Sequence, residues 1–338
     1  MAPISLVLVW SRAQPRRVGE RLLVPPRPTS LGREARSEDQ LVLLRPRGQR
    51  LQPTGPLTSP RLSRRQVQLQ AVGTGVSFLR QGQRRLLLDG EEADRDHAPM
   101  GSTLEVDSEV VFYVEGPWEA VPPCIPEPPW AGPDLDGIIG ESAATWRHRR
   151  NLDQAGPGHV WIVGDRGSGR LRAARALHRR GPSSSLVAHD TDRIRPGCTV
   201  IVPAAQSTPY VGRDDLRALV IADPETVPLR VPQRIDVPGL EARRADVPLI
   251  ARQILLEWTL TEARALARHI DERGEPKLSI ELVRHLLTVD LPHNERTLRR
   301  LLWESVETSP QSRLAPPGKA SNVRSAAWEE SFEDLDEP

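Results

Sequence analysis

The chain has 338 residues, and its 46 basic and 45 acidic side chains leave a formal net charge of +1. A charge this close to neutral argues against a general polyanion-binding protein. No apolar run reaches the roughly 18 residues that a membrane span requires. The apolar first ten residues lack the basic region and the cleavage site of a signal peptide. Cys124 and Cys198 are too few for a disulfide framework or a zinc site, which favours a reducing cytoplasm.

Residues 1–116 are predicted to form an all-β sandwich. Their apolar runs are short or alternating, and Gly and Pro separate them, which is typical of many short strands. The runs are ISLVLVW, ERLLV, QLVLL, RQVQLQAV, GVSFL, RRLLLDG and STLEVDSEVVFYVE.

Two further stretches have a composition that disfavours packing. Residues 117–133 contain seven prolines in 17 positions. They are predicted to be a semi-rigid extended linker, because proline fixes φ and removes a backbone donor. Residues 308–338 end in the acidic run WEESFEDLDEP, have little apolar surface to bury and are predicted to be a mostly disordered tail.

The segment between the linker and the tail alternates short apolar runs with helical patterns. Residues 134–246 contain HVWIVG, CTVIVP and LRALVIA as predicted strands and RLRAARALHRR as a predicted helix, which indicates a parallel α/β sheet. Residues 247–307 are predicted to form a helical lid, because apolar residues keep helical spacing through VPLIARQILLEWTLTEARALARHI, SIELVRHLLTV and NERTLRRLLWESV.

Four short elements of the β segment form a recognisable series. Leu-Gly-Arg occupies 31–33, Leu-Ser-Arg-Arg-Gln-Val occupies 62–67, and LLLDGEEA and GSTLEVDSEVVFYV close the segment. Together they resemble a forkhead-associated (FHA) domain over about residues 15–116. The family fold is an eleven-stranded β-sandwich whose loops bind phosphothreonine peptides. Gln66 stands where the family has a structural histidine, and Gln81-Gly82 is nearest to its first Asn-Gly element.

The resemblance implies a phosphopeptide-binding site made of Arg33, Ser63 and Arg64. A phosphate group carries about −1.5 to −2 charges and three acceptor oxygens. A guanidinium fork and a hydroxyl presented from loops satisfy such a group, so Arg33 would supply the fork, Ser63 the hydroxyl and Arg64 a second cation. The alternative is a sandwich that no longer binds phosphate, in which the two arginines are ordinary members of solvated loops.

Residues 164–171, GDRGSGRL, follow a predicted strand and open a predicted helix. They resemble the P-loop pattern G-x-x-x-x-G-K-[ST], and Gly164, Gly167 and Gly169 are in register for a backbone nest around phosphates. Arg170 replaces the lysine of that pattern, and Leu171 replaces the hydroxyl that binds Mg²⁺.

Three more blocks extend this resemblance in chain order. They are DGIIGES at 136–142, PGLEARRADVPL at 238–249 and LPHNERTL at 291–298. With the glycine loop they resemble the AAA+ ATPase domain of sigma-54-dependent transcription activators, over about residues 136–306. The resemblance implies that Arg296 corresponds to a nucleotide-sensing arginine.

Several parts of that family's machinery have no counterpart. Pro203 and Ala204 occupy the positions of the paired carboxylates that handle Mg²⁺ and water. The segment of about 30 residues after Arg170 is too short for the sigma-contacting Gly-Ala-Phe-Thr-Gly-Ala loop, and no DNA-binding helix-turn-helix follows the lid. These losses predict a pseudo-ATPase without catalytic residues. Residual ATP or ADP binding without Mg²⁺, through Gly164, Gly167, Gly169, Arg170 and Arg296, stays open beside a purely structural relic.

The sequence thus predicts a multidomain bacterial protein: an FHA-like sandwich joined to a degenerate AAA+ core with a helical lid. We expect a non-catalytic, phosphothreonine-dependent signalling adaptor linked to Ser/Thr kinase signalling and transcription control. Its partner would be a phosphothreonine-containing protein, such as a Ser/Thr kinase or its substrate. The alternative is a nucleotide-binding transcription regulator. No metal site is expected, because the eight histidines lack ligand spacing, and neither direct DNA binding nor a membrane association is expected.

Overall fold

A computed structural model describes residues 2–34, 39–47, 50–118, 132–181, 185–188 and 194–317. Most of the predicted linker, with Cys124, and the part of the predicted tail from residue 318 onward lie outside these ranges. Within them the chain combines antiparallel β-sheets with a parallel α/β sheet and a helical part.

The amino-terminal part contains twelve strands among the described residues, one more than the FHA resemblance implies. They are β1 (Ile4–Ser11), β2 (Arg21–Val24), β3 (Thr29–Leu31), β4 (Leu43–Arg47), β5 (Arg50–Gly55), β6 (Val67–Val72), β7 (Gly75–Arg80), β8 (Leu86–Leu88), β9 (Glu91–Glu92), β10 (Arg95–Ala98), β11 (Thr103–Val106) and β12 (Val110–Pro117). Eight form one antiparallel sheet in the order β5-β4-β2-β1-β12-β11-β8-β9, and four form a second sheet in the order β10-β7-β6-β3.

The sandwich core follows the two-residue period of its strands. In β6, Val67, Leu69 and Ala71 are buried in the core while the glutamines between them are half-buried. β1 is different, because all eight of its residues are buried. One face of β1 lies in the sandwich core, and the other is covered by the helical part of the chain. Burial of both faces explains why β1 is an almost continuous apolar run.

The second part of the chain contains five strands and seven α-helices among the described residues. The strands are β13 (Val160–Val163), β14 (Leu186–Ala188), β15 (Thr199–Pro203), β16 (Arg217–Ala222) and β17 (Arg234–Asp236). The helices are α1 (Ala143–Asp153), α2 (Arg170–Arg180), α3 (Thr208–Val211), α4 (Val247–Thr261), α5 (Ala263–Leu266), α6 (Ile280–Thr288) and α7 (Glu295–Thr308). The strands pair in parallel in the order β14-β15-β16-β13-β17, and Cys198 is buried beside this sheet.

The helical part departs from the prediction at two places. The continuous helix predicted from residue 247 ends at Thr261, because Glu262 has non-helical φ and ψ of −120° and 39°. Residues 309–317, which were assigned to the tail, are packed: Leu314 is fully buried with α4 and α7, and its backbone N–H donates to the Lys277 carbonyl at 2.9 Å. A single leucine supplies the apolar anchor that composition did not reveal.

The sandwich is docked on the helical part through an apolar cluster. Its buried members are Val7, Val9, Trp10, Val111, Ala245, Ile280, Val283 and Leu287. The Trp10 indole Nε1 also donates to the Leu278 carbonyl at 3.2 Å, and the Arg284 Nε donates to the Glu105 carboxylate at 2.9 Å. The two parts therefore bury apolar surface and charged groups against each other.

A buried arginine completes this interface. Arg21 is fully buried, donates to the Glu115 carboxylate at 3.1 Å and to the Glu141 carbonyl, and stacks on the Trp118 ring 4.5 Å away. The other oxygen of Glu115 accepts the backbone N–H of Ala143 at 2.7 Å, at the start of α1.

Among the described helices, none combines the length and the apolar character needed to cross a bilayer.

Candidate functional site

The structure brings the three residues of the predicted phosphopeptide site together at one end of the sandwich. Arg33 follows β3, and its backbone N–H donates to the Ser63 carbonyl at 3.1 Å. A Cβ on Gly32 would lie 2.0 Å from the Arg64 carbonyl oxygen, so only glycine permits this approach of the two loops. The close approach places Arg33, Ser63 and Arg64 on adjacent loop segments.

Gln66 supports this loop from below. Its side chain accepts the Ser63 backbone N–H at 3.3 Å and donates to the Arg84 carbonyl at 2.8 Å, and the residue is 1% exposed. Its backbone N–H donates to the Leu31 carbonyl at 2.8 Å. A Cβ on Gly82 would lie 2.5 Å from the Gln66 Oε1, so a side chain at position 82 would displace Gln66 from its present position. Gln66 therefore holds the loop that carries Ser63.

The hydrogen-bond donors at this site differ in whether they already have a partner within the protein. The Arg33 Nε is buried and has no hydrogen-bond partner among the described residues. The Ser63 Oγ accepts the Gln83 N–H at 3.2 Å, which leaves its own proton to donate. Arg64 is more than half exposed and forms an ion pair with Glu34 at 3.2 Å. The site thus offers one unused guanidinium N–H, one hydroxyl and one cation that a neighbouring carboxylate already neutralises.

The turn at Asp89-Gly90 has a structural role. Asp89 adopts a left-handed φ of 50°, and its Oδ1 accepts the Thr103 backbone N–H at 2.7 Å. This turn joins β8 to β9. We found no contact between it and the Arg33 site among the hydrogen bonds of the described residues.

The glycine loop lies between β13 and α2, as predicted. Gly167 and Gly169 have left-handed φ values of 73° and 101°, and Gly169 caps α2. A Cβ on Gly164 would lie 2.8 Å from both the Ser168 Oγ and the Val237 carbonyl oxygen. The Ser168 Oγ is buried and has no hydrogen-bond partner among the described residues. Loop geometry of this kind directs backbone N–H groups toward an anion at a helix N-terminus.

The Arg170 side chain turns to a carboxylate of the protein. Its Nη1 lies 2.6 Å from the Asp223 Oδ1, just beyond the end of β16. Leu171 packs at the edge of the α/β core. Pro203 and Ala204 lie at the end of β15 and carry no charge. The end of the sheet therefore has an arginine–aspartate pair where the P-loop pattern has a lysine for phosphate.

Asn294 ties the lid to the glycine loop. This residue is 4% exposed, and its amide donates to the Arg166 carbonyl at 2.9 Å and accepts the Leu240 N–H at 2.6 Å. A Cβ on Gly167 would lie 2.3 Å from the His293 carbonyl oxygen. The blocks 164–171, 238–249 and 291–298, which the sequence singled out separately, therefore meet at one point.

The block 136–142 meets the block 238–249 at a buried aspartate. Asp246 is 1% exposed and accepts the backbone N–H groups of Glu141 and Ser142 at 2.7 and 2.8 Å. It also accepts the Thr145 hydroxyl at 2.6 Å. A Cβ on Gly140 would lie 2.4 Å from the Asp246 Oδ2, which explains the glycine at that position.

A cavity of about 430 Å³ opens between the glycine loop, α2 and the start of α7. It is lined by Leu135, Asp136, Gly137, Gly167, Gly169, Leu171, Arg172, Arg175, Arg179, Glu295, Arg296 and Arg299. Three predicted residues, Gly167, Gly169 and Arg296, are therefore among its walls, whereas Gly164 and Arg170 are not. Burial raises the pKa of Glu295, but the charges of Arg172 and Arg299 outweigh that effect and hold this pKa below its ordinary value.

Sequence reasoning missed most of the cavity's arginines. Arg172, Arg175 and Arg179 recur at helical spacing along α2 and share its cavity face. Their periodicity was the signal that could have identified them. Glu34, the partner of Arg64, was also missed, and no pattern in the sequence marks it. No group of His, Cys, Asp and Glu residues within the described ranges is arranged to hold a metal ion.

The fold and these sites define a chain with a β-sandwich, a parallel α/β sheet and a helical part. No protein-family model matches this chain, and no curated protein does. Its structure is similar to crystal structures of NtrX from Brucella abortus. The ADP complex has 17% sequence identity and a TM-score of 0.42 and covers 59% of this chain and 61% of that chain. The ATP complex has 15% sequence identity and a TM-score of 0.40, and it covers 59% of this chain and 62% of that chain. A third NtrX structure has 17% sequence identity and a TM-score of 0.38, and it covers 58% of this chain and 60% of that chain. The chain thus spans about three fifths of the length of the NtrX chains it matches.

Proposed function

We propose that this protein is a non-catalytic signalling adaptor that binds phosphothreonine-containing proteins through Arg33, Ser63 and Arg64. The observation that carries the proposal is the buried Arg33 Nε, which has no hydrogen-bond partner within the described residues. A buried donor left unpaired costs free energy, and a phosphate oxygen would satisfy it. The Ser63 hydroxyl lies on the neighbouring loop, and Gln66 fixes that loop.

The α/β part acts in this proposal as a pseudo-ATPase module rather than as an enzyme. Arg170 is paired with Asp223, and Leu171, Pro203 and Ala204 supply neither a metal-binding hydroxyl nor a carboxylate. The adaptor would work in Ser/Thr kinase signalling that bears on transcription. Its partner would be a kinase or a kinase substrate that carries the phosphothreonine.

The test is a phosphothreonine peptide library titrated against the full chain, with unphosphorylated counterparts. Arg33→Ala should weaken binding about 10- to 100-fold, because it removes a charge-assisted hydrogen bond. Arg95→Ala is the matched control, since Arg95 is an exposed arginine on β10 of the same sandwich. Equal binding of phosphorylated and unphosphorylated peptides, or equal effects of the two variants, would overturn the proposal.

A second candidate function is nucleotide-responsive regulation through the cavity beside the glycine loop. The observation that favours it is the combination of left-handed glycines at the start of α2 with five arginines around about 430 Å³. ATP or ADP would bind without Mg²⁺, its phosphates neutralised by arginine. Thermal unfolding with each nucleotide in EDTA tests this, because ligand at 100 times its dissociation constant stabilises by about 2.7 kcal/mol, or roughly 5 °C. An unchanged unfolding temperature at millimolar nucleotide would remove this candidate.

A further inference from the structure

A second cavity, of about 240 Å³, opens where the sandwich meets the helical part of the chain. Val9, Trp10 and Val18 line it from the sandwich, and Pro248 and Leu278 line it from the helical part. Ligand sites often lie between two parts of a protein, and those for drug-sized ligands measure about 300–1,000 Å³. This cavity is therefore suited to a smaller molecule that has apolar surface to bury.

Two cationic residues in the cavity wall, Lys277 and Arg313, are held side by side by the backbone. The next residues along the chain, Leu278 and Leu314, form a parallel bridge. In it the Leu314 N–H donates to the Lys277 carbonyl at 2.9 Å, and the Ser279 N–H donates to the Leu314 carbonyl at 2.9 Å. Residues 277 and 313 therefore occupy neighbouring positions on one face of the pairing. Like charges opposite each other in this way are destabilising, so an anion placed between them would be favoured.

Neither cation forms an ion pair with a carboxylate of the described residues. The Lys277 Nζ donates to the Arg268 carbonyl at 3.2 Å, a neutral acceptor. Arg313 is exposed, and its guanidinium forms no hydrogen bond or ion pair within the part of the chain that the structure describes. Both groups are thus able to bind an external carboxylate.

The two acidic residues of the cavity wall are engaged elsewhere. Asp271 accepts the backbone N–H groups of Arg273 and Glu275, each at 2.8 Å. Glu275 is 4% exposed and receives two bonds from Arg252, at 2.7 and 2.9 Å, and one from the Arg16 Nε at 2.8 Å. The carboxylate of Glu275 is thus shared by two guanidinium groups.

The hydrogen bond from the Glu275 N–H is the main reason why the pKa of Asp271 lies below its ordinary value. The charge of Lys277 adds to this lowering of the pKa, but less than the hydrogen bonds do. Asp271 therefore stays ionised through its own turn, and it does not form an ion pair with Lys277 among the described contacts.

Arg12 adds a cation from the sandwich side of the cavity. Its Nη1 lies 3.9 Å from the Glu109 carboxylate, which Arg61 approaches more closely at 3.3 Å. The other oxygen of Glu109 accepts the Ser59 hydroxyl at 2.8 Å. Glu109 is therefore a weak partner for Arg12, and the wall keeps positive charge on both of its sides.

We propose that this cavity binds a small organic carboxylate with an apolar body, such as an arylacetate, between the sandwich and the helical part. The Arg313 guanidinium offers a planar fork for the two carboxylate oxygens, and Lys277 adds a point charge. The apolar body packs against Trp10 and Leu278, which a bare inorganic anion would leave uncovered. Because the ligand contacts both sides, its binding fastens the sandwich to the helical part. This inference rests on neither the phosphothreonine site nor the nucleotide cavity.

The scarcity of lysine provides a specific probe of the site. The chain has two lysines, Lys277 and Lys319. NMR of the full chain, isotopically labelled at the lysine Cε, therefore gives two side-chain signals, and Lys277→Arg identifies the signal of Lys277 by its loss. Phenylacetate should shift this signal in a saturable way. Phenylacetamide, which has the same ring without the charge, should leave the signal in place.

Two simple anions separate specific binding from ion screening. Acetate and inorganic phosphate should bind at least about 10-fold more weakly than phenylacetate, because they lack apolar surface to bury. An unchanged Lys277 signal with phenylacetate would overturn the proposal. Equal affinities of phenylacetate and either its amide or acetate would also overturn it.

A matched pair of arginine variants assigns the carboxylate contact. Arg313→Gln should weaken phenylacetate binding about 10-fold at the Lys277 signal, because it removes a charged hydrogen-bond donor. Arg264→Gln replaces an exposed arginine on α5 outside the cavity and should leave the affinity unchanged. Equal effects of the two variants, or none from Arg313→Gln, would overturn the role of Arg313.

Hydrogen exchange tests whether the ligand bridges the two parts. Saturating phenylacetate should slow exchange of the Val18 amide, on the sandwich side, and of the Leu314 amide, on the helical side. Exchange within β7, which lies in the other sheet of the sandwich, should be unchanged. Slower exchange on one side alone, or equally throughout the chain, would overturn the bridging position. Phosphothreonine peptides are absent from all these measurements, so their outcome is separate from that of the peptide titration.

Discussion

Glu141 allows a quantitative test of the interface between the sandwich and the α/β part. The residue is 2% exposed, and its carboxylate accepts the Trp146 indole N–H at 3.1 Å. Burial raises the pKa of Glu141 from 4.5 to about 7. The charge of Arg149 partly opposes this, while the charge of Asp246 adds to the rise. Glu141→Gln keeps a hydrogen-bond acceptor but removes the charge.

The sign of the effect follows from proton binding. In the unfolded chain Glu141 ionises near pH 4.5, whereas in the folded chain it does so near pH 7. Its favourable contribution is therefore complete below pH 4.5 and is lost as the pH rises through 7. A pKa rise of this size corresponds to about 3 kcal/mol. Relative to the wild type, Glu141→Gln should change stability little at pH 4.5 and increase it by up to about 3 kcal/mol at pH 8.

His148 contributes to the pH dependence of stability with the opposite sign to Glu141. The useful quantity is therefore the difference in the free energy of unfolding between the variant and the wild type. Burial, with the charge of Arg243, lowers the pKa of His148 to about 4. Its contribution is complete above pH 6.5 and is lost as the pH falls toward 4. Over much of the same pH range, the pH-dependent contribution of His148 to wild-type stability therefore offsets that of Glu141. Both chains contain His148, so its contribution cancels when they are compared.

The assay is urea unfolding at pH 5, 6, 7 and 8, with Glu241→Gln as the control. Glu241 is an exposed glutamate outside the interface, so its variant should follow the wild type at every pH. A Glu141→Gln stability difference that is constant with pH, or a loss of stability at pH 8, would show that the pKa of Glu141 is not raised in the folded chain.

Three further changes test separate parts of the structure. Glu34→Gln should strengthen phosphothreonine peptide binding several-fold by releasing Arg64 from its ion pair; unchanged or weaker binding in a titration would contradict this. Gly167→Ala should speed hydrogen exchange at residues 291–296, because its Cβ would lie 2.3 Å from the His293 carbonyl oxygen; unchanged exchange would contradict the contact between lid and loop. Leu314→Ala should lower the free energy of unfolding by about 2–5 kcal/mol, because Leu314 is fully buried; a loss below 0.5 kcal/mol, within the usual range of a surface substitution, would contradict its role as an anchor.

Local patterns predicted the strands and the main helices well. β6 alternates with a period of two because one face is buried, and α6 has apolar residues at helical spacing for the same reason. The end of α4 could not be predicted, because the residues after Thr261 include good helix formers. There Leu266 and His269 are buried against α7 and residues 309–312, so tertiary contacts override the local preference.

The candidate sites were only partly predictable for a different reason. Arg33, Ser63 and Arg64 could be proposed as site residues from the sequence because they lie in short motifs, and their binding role stays a prediction. The pairing of Arg170 with Asp223 and of Arg64 with Glu34 was not, because each depends on how separate segments meet in space. Asp246 is an extreme case, since it binds a loop 104 residues away in sequence.

We expect the Arg33 guanidinium to bind a phosphothreonine phosphate, and the side-chain Nε–H resonance of Arg33 reports this contact directly. The resonance is assigned by its loss in Arg33→Ala and followed by NMR during titration of the full chain. We expect a downfield shift with the phosphothreonine peptide and none with its unphosphorylated form, because the Arg33 Nε has no hydrogen-bond partner among the described residues beforehand. A phosphothreonine peptide that binds while this resonance stays in place would show that the Arg33 Nε does not contact the phosphate, and the absence of phosphate-dependent binding would exclude the phosphothreonine site.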